Sequence, residues 1–261
     1  MPEVPSFSLA GKVVVQFGGT GLLGRALVTS LASAGATLVV TSRNRDSLAE
    51  LAAAEHAAGR LVAVEQVEIG SEASLHALRD RILAQHGRVD GIVFNAVQRV
   101  MKGFAGPLEG WAASMATNAT GYFATVRAFG DAMAAKGSGS IVNIGSHMGS
   151  VGMNPWLYEG TPTLPSPDYF FHKGGMVNLT RYLAVHYGAS GVRVNVVAPG
   201  GIYNSEKPQA DEFIKRYSQM TALGRLAKTS EVGGAVVFLL SDASTYVTGI
   251  TLPVDGGYTA K

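Results

Sequence analysis

The sequence predicts an α/β fold: a single doubly wound domain whose seven-stranded parallel sheet carries helices on both faces. Three observations predict it. Short β-branched runs alternate with longer helical patterns along all 261 residues. The runs 13–15 and 192–197 are almost continuously apolar, as a sheet covered on both faces requires. The first run also ends in a glycine-rich turn, and a helical pattern begins at once.

In chain order, residues 12–17 form a first strand around Val13-Val14-Val15. Residues 22–35 are helical, and 37–41, with two central valines, form the second strand. Residues 46–58 are helical, 61–67 form the third strand, and 71–86 are helical again. Residues 91–95 form a fourth strand, followed by one long helix over 108–136. A strand over 140–144 precedes the long loop 147–168. A helix over 168–190 and a strand over 192–198 follow. Short helices near 209–219 and 230–241 lead to a last strand over 250–254. The segment 201–229 is the longest polar interruption, and it falls inside the C-terminal half rather than between domains. One domain therefore spans 1–261.

Composition narrows the function classes. A net charge of +2 is too small for a nucleic-acid footprint. Without cysteine there are no disulfides and no thiolate metal sites, and the six histidines lack ligand-like spacing, so no metal is expected. The first twelve residues lack a basic segment followed by an apolar run, and no stretch is long enough to span a bilayer. A cytoplasmic enzyme with a small-molecule substrate, and with no nucleic-acid or membrane partner, is the expectation.

The glycine-rich turn reads Phe17-Gly-Gly-Thr-Gly-Leu-Leu-Gly24, and Gly19, Gly21 and Gly24 fit the dinucleotide fingerprint of a Rossmann-type unit. The following helix offers free N–H groups and positive dipole to a pyrophosphate. About 20 residues on, an NAD-binding unit carries an acid for the ribose hydroxyls. Here Ser42, Arg43 and Asn44 occupy that place, and Arg43 suits a 2′-phosphate, so NADP is favoured over NAD.

Tyr169 and Lys173 are four residues apart on a predicted helix and share one face. An ammonium beside a phenol favours the phenolate and brings proton exchange nearer to neutral pH. Close to a nicotinamide site, that pair implies hydride transfer at a carbonyl or an alcohol.

These residues together resemble the short-chain dehydrogenases/reductases, in their compact single-domain branch, over nearly the whole chain. Further patterns carry the likeness: Asn118 on the long helix, Ser146 after the fifth strand and Pro199-Gly200 after the sixth. Leu223-Gly-Arg225 with Glu231-Val232, Tyr246-Val-Thr-Gly249 and Val254-Asp-Gly-Gly257 complete it. The resemblance implies that Tyr169 is the general acid/base and that Lys173 lowers its pKa and holds the nicotinamide ribose. It implies that Ser146 positions the substrate oxygen and that Asn118 holds a water linking Lys173 to solvent. For cofactor binding it implies Gly18, Gly19, Thr20, Gly21, Leu23, Gly24, Ser42, Arg43 and Asn44. Glu68, Ile69, Asn95, Ala96, Tyr169, Lys173, Pro199, Gly200 and Ile202 complete that set. It also implies a homotetramer in which helices 108–136 and 168–190 pair between subunits.

Some positions depart from the family pattern. Leu22 stands where a glycine is usual, and Gly21 sits one place earlier, as in the extended branch of epimerases and dehydratases. Phe94-Asn-Ala-Val97 replaces Asn-Asn-Ala-Gly, which puts Val97 in the cofactor's neighbourhood. Glu68 replaces an adenine-contacting Asp. Phe171 and His172 replace small residues and are expected to pack against a partner helix.

The loop between Ser146 and Tyr169 is about twice the usual family length, and four prolines forbid a regular helix in it. Both of its anchors are site residues, so it reads as a substrate wall or as an oligomer contact. Trp156, Tyr158 and Glu159 are its candidates; Arg99, Lys102 and Asn204 are candidates elsewhere, with Ser146 shared. Such polar walls, resembling those of sugar and polyol dehydrogenases, suit a sugar, sugar acid or polyol, and Arg99 with Lys102 raises an anionic sugar. Two alternatives stand beside the dehydrogenase: a sugar epimerase or dehydratase with transient oxidation, and a catalytically silent NAD(P) sensor.

Overall fold

The computed structural model describes residues 5–162 and 165–260, so two residues of the predicted long loop, both chain ends and the reading of residues 1–4 lie outside the described residues. Among the described residues seven strands form one sheet: β1 (Val13–Phe17), β2 (Thr37–Ser42), β3 (Val62–Gln66), β4 (Gly91–Phe94), β5 (Gly139–Ile144), β6 (Val192–Pro199) and β7 (Thr251–Val254). Their order is β3-β2-β1-β4-β5-β6-β7, and every pairing is parallel. The order reverses between β1 and β4, whose last paired residues are Phe17 and Phe94. A crevice therefore opens at their carboxyl ends, where such sheets bind ligands.

The described residues hold eight α-helices: α1 (Leu22–Ser33), α2 (Arg45–Ala57), α3 (Glu72–His86), α4 (Leu108–Met115), α5 (Tyr122–Lys136), α6 (Pro167–Gly188), α7 (Asp211–Met220) and α8 (Ser230–Leu240). Strand alternation sends Val13, Val15 and Phe17 into one core with residues of α3, α5 and α6. Val14, Leu38 and Val40 point the other way, into a second core with α1, α2 and α8. Both faces are thereby dry, which is why the strands lack polar alternation.

The long helix expected over 108–136 is corrected. It breaks into α4 and α5 around a π-helical turn, Ala116–Gly121. At its end Gly121 packs so tightly that an added Cβ would lie 2.9 Å from the Ile69 carbonyl oxygen. The wider turn also places Asn118 inward, 2 % exposed. Sequence periodicity carries no sign of such a one-residue bulge. The other elements stand where expected, apart from shifts at their ends; the helix near 209–219 runs over Asp211–Met220. Among the described residues no helix is long and apolar enough to cross a membrane, and no group of three or more His, Cys, Asp or Glu residues gathers as for a metal.

Candidate active site

The glycine turn lies at the crevice. Gly18 has φ +82°, and a Cβ there would come within 2.6 Å of the Ala96 backbone. A Cβ on Gly24 would come 2.4 Å from the Gly18 carbonyl, so both positions need glycine. Around Gly21, by contrast, an added Cβ would meet nothing, and no side chain caps the start of α1. Open room beside free helix N–H groups fits a pyrophosphate. Asn95 ties the turn to the end of β4, donating to the Gly18 carbonyl at 2.7 Å.

Around the adenosine end, the Ser42 hydroxyl lies 3.2 Å from that of Thr20. The Asn44 side chain caps α2 by accepting from the Ser47 N–H at 3.0 Å. Gln66 donates to the Arg43 carbonyl at 2.9 Å, while the exposed Arg43 guanidinium has no hydrogen-bond or ion-pair partner among the described residues. The Glu68 carboxylate accepts from the Gly70 N–H at 3.2 Å, and Ile69 is buried. Val97 is exposed. Pro199 ends β6, Gly200 packs on Asp255, and Ile202 bridges to Ala227.

The four predicted catalytic residues come from neighbouring elements. Ser146 follows β5, and its hydroxyl accepts from the Met148 N–H at 3.2 Å. The turn after it packs closely on α6: a Cβ on Gly149 would lie 2.7 Å from the Lys173 carbonyl. Lys173 is 4 % exposed, and its ammonium donates to the Ile144 carbonyl at 2.6 Å. It lies 5.7 Å from the centre of the Tyr169 ring. Burial, and next the charge of Arg99, push Lys173 down to about 7. The half-buried Tyr169 hydroxyl has no hydrogen-bond partner among the described residues.

Asn118 is fully engaged by its side chain. It accepts from the Gln98 N–H at 2.9 Å and donates to the Gln98 carbonyl at 2.7 Å and to the Ser114 hydroxyl at 2.9 Å. Ser114 in turn donates to Asp168, which also accepts from Ser166. A buried polar chain thus runs from the loop after β4, through the π-turn, to the residue before Tyr169.

Arg99 lies on that loop, with its guanidinium carbon 4.8 Å from the centre of the Tyr169 ring. His172, expected to pack on a partner helix, lies inside its own chain, 4 % exposed and edge-on to Tyr169 at 5.2 Å. Neither of its ring nitrogens has a hydrogen-bond partner among the described residues. Burial, and then the Lys173 charge, push it down to about 3. Phe171 packs on Trp111 of α4 at 5.2 Å and stays exposed.

The long loop docks on α7. Arg216 donates to the Trp156 carbonyl at 2.7 Å and to the Glu159 carbonyl at 2.6 Å, and stacks on the Trp156 ring. Leu157 is buried against this unit, and Tyr158 packs on Phe213 at 5.8 Å. Burial is the main cause that pushes Tyr158 up to about 12, with Tyr258, Tyr169 and Arg99 within electrostatic range. The Trp156 and Glu159 side chains are exposed. The expectation for Asn204 also changes, because its carboxamide oxygen accepts from the Glu206 and Lys207 N–H groups of its own turn. Lys102 is exposed.

Sequence reasoning missed Gln98, Ser114 and Asp168, which hydrogen bonds link to Asn118, the last through Ser114. It also missed Tyr217, which accepts from the Gly201 N–H and packs on His147 and Tyr258. The i, i+4 spacing of Phe213 and Tyr217 was its only available signal.

Known proteins share this fold. The family model described as enoyl-(acyl carrier protein) reductase matches residues 21–259. Galactitol 2-dehydrogenase (L-tagatose-forming) of Cereibacter sphaeroides is 32% identical, covering 97% of each chain. D-threitol dehydrogenase of Mycolicibacterium smegmatis is 31% identical over 98% of this chain and 95% of its own. A solved gluconate 5-dehydrogenase from Burkholderia cenocepacia, in complex with NADP and tartrate, superposes with a TM-score of 0.88 at 29% identity, covering 99% of each chain. The chain belongs to the short-chain dehydrogenase/reductase family. It is an oxidoreductase that moves a hydride between a nicotinamide cofactor and a secondary alcohol or ketone.

Proposed function

We propose that the substrate is a sugar, sugar acid or polyol, that NADP is preferred, and that Tyr169, Lys173, Ser146 and Asn118 form the catalytic set. The observation that carries the reading is the buried Lys173 beneath Tyr169, between the end of β5 and the first turns of α6. When bound, the nicotinamide supplies or accepts the hydride. Tyr169 gives its hydroxyl proton to the carbonyl oxygen in reduction and takes the alcohol proton in oxidation. The Lys173 charge favours the phenolate, and the Ser146 hydroxyl steadies the same substrate oxygen. Asn118 holds the loop after β4 and, through Ser114 and Asp168, the start of α6.

Galactitol and threitol dehydrogenases among the relatives support a polyhydroxylated substrate. Arg43, without an acid partner among the described residues, supports NADP, and so does the NADP of the gluconate 5-dehydrogenase neighbour. Phe171, Tyr182 and Val185 of α6 and Phe123 of α5 are exposed apolar residues, which supports helix pairing in a homotetramer. A nicotinamide-dependent reaction suits the cytoplasm. A panel of sugars, sugar acids and polyols assayed with both cofactors tests the reading. Arg43→Ala should lower the NADP-over-NAD preference about ten- to a hundredfold; an unchanged preference removes Arg43 from the cofactor site.

A further inference from the structure

We infer that the substrate bears a carboxylate a few bonds from the reacting carbon, and that Arg99 holds it. This rests on the sugar or polyol reading above and names the member of that class. Arg99 sits over the face of the ring whose hydroxyl handles the proton, at 4.8 Å from its centre. It has no hydrogen-bond or ion-pair partner among the described residues, so both edges of its guanidinium remain available. Arg99 itself is exposed, and the buried Lys173 lies close enough for Arg99 to disfavour its charged form.

Arg99 and, when protonated, Lys173 place positive charge at this end of the site, and among the described residues neither forms an ion pair. The Asp168 and Asp255 carboxylates direct their hydrogen bonds elsewhere than to Arg99 or Lys173. Asp168 is taken up by Ser114 and Ser166, and Asp255 by the Gly257 N–H at 3.0 Å and by Thr259. A neutral polyol leaves this charge unmatched. A carboxylate pairs with the planar guanidinium through two parallel N–H···O bonds, and so fixes which carbon faces Tyr169. Asn118 supports the geometry, because it clamps Gln98, the residue before Arg99.

The test compares six- and four-carbon aldonates with the matching alditols, which differ only at one end, in the wild-type enzyme, Arg99→Ala and Arg99→Lys. The wild type should favour the aldonate in kcat/KM, and added salt should raise KM for the aldonate alone. In Arg99→Ala the aldonate-to-alditol ratio should fall on the order of ten- to a hundredfold, mostly through KM. Arg99→Lys should recover part of it, since a point charge replaces a fork. If Arg99 acts only through its field on Tyr169, both substrates change together and the ratio holds, which overturns the carboxylate while leaving the sugar or polyol reading intact. A wild type that favours the alditol overturns it too. No turnover of either class sinks both readings.

Discussion

Asn118 holds Gln98 by both sides of its backbone: its oxygen accepts from the Gln98 N–H at 2.9 Å, and its nitrogen donates to the Gln98 carbonyl at 2.7 Å. The second hydrogen on that nitrogen goes to Ser114, so every polar atom of the carboxamide is used. The grip joins the π-turn between α4 and α5 to the loop after β4. It sets the loop that carries Arg99 and, through Asp168, the helix that carries Tyr169.

Asn118→Ala therefore leaves the Gln98 peptide and the Ser114 hydroxyl without their buried partner. The expected cost is about 1–3 kcal/mol of stability, seen in urea unfolding, together with a lower kcat. A variant as stable as the wild type would show that the π-turn holds its shape without this side chain.

His172 predicts an acid weakness. Its folded pKa is pushed down to about 3, below the unfolded value near 6.5, by burial and by Lys173 and Arg99, with Asp168 opposing. The unfolded chain therefore binds a proton that the folded chain refuses, and stability falls as pH drops from about 6.5 toward 3. His172→Leu removes the group and its two unpaired nitrogens. Its stability relative to wild type should improve by about 2 kcal/mol between pH 7.5 and 5. A difference independent of pH would contradict the assignment.

Arg216 fastens the long loop to α7 through two carbonyls and the Trp156 ring. Arg216→Ala should raise KM roughly five- to thirtyfold, from the loss of one or two charge-assisted hydrogen bonds, with a smaller change in kcat. Amide exchange over residues 156–160 should quicken in parallel. Arg216→Lys should restore only part, because one ammonium does not reproduce the fork. An unchanged KM would assign the loop to a contact away from the substrate.

The sheet was legible in the chain because buried parallel strands leave continuous apolar runs such as Val13-Val14-Val15, and because glycines such as Gly18 and Gly24 occupy positions no side chain tolerates. Tyr169 and Lys173 were legible from helical spacing. The π-turn was not, since one inserted residue shifts periodicity by less than a short window detects. With it went the partnership of Asn118, Gln98 and Ser114, which no local pattern encodes. The docking of the proline-rich loop on Arg216 was equally hidden, because it joins distant segments through backbone carbonyls, and any residue has one.

The central claim is that Tyr169 moves the proton while Lys173, buried against Ile144, tunes it. Tyr169→Phe keeps the ring under Arg99 and removes only the hydroxyl. Its kcat for nicotinamide reduction by the best substrate of the panel should fall about a hundred- to ten-thousandfold, while cofactor affinity by fluorescence titration stays close to wild type. A kcat within a few-fold of wild type would contradict the account.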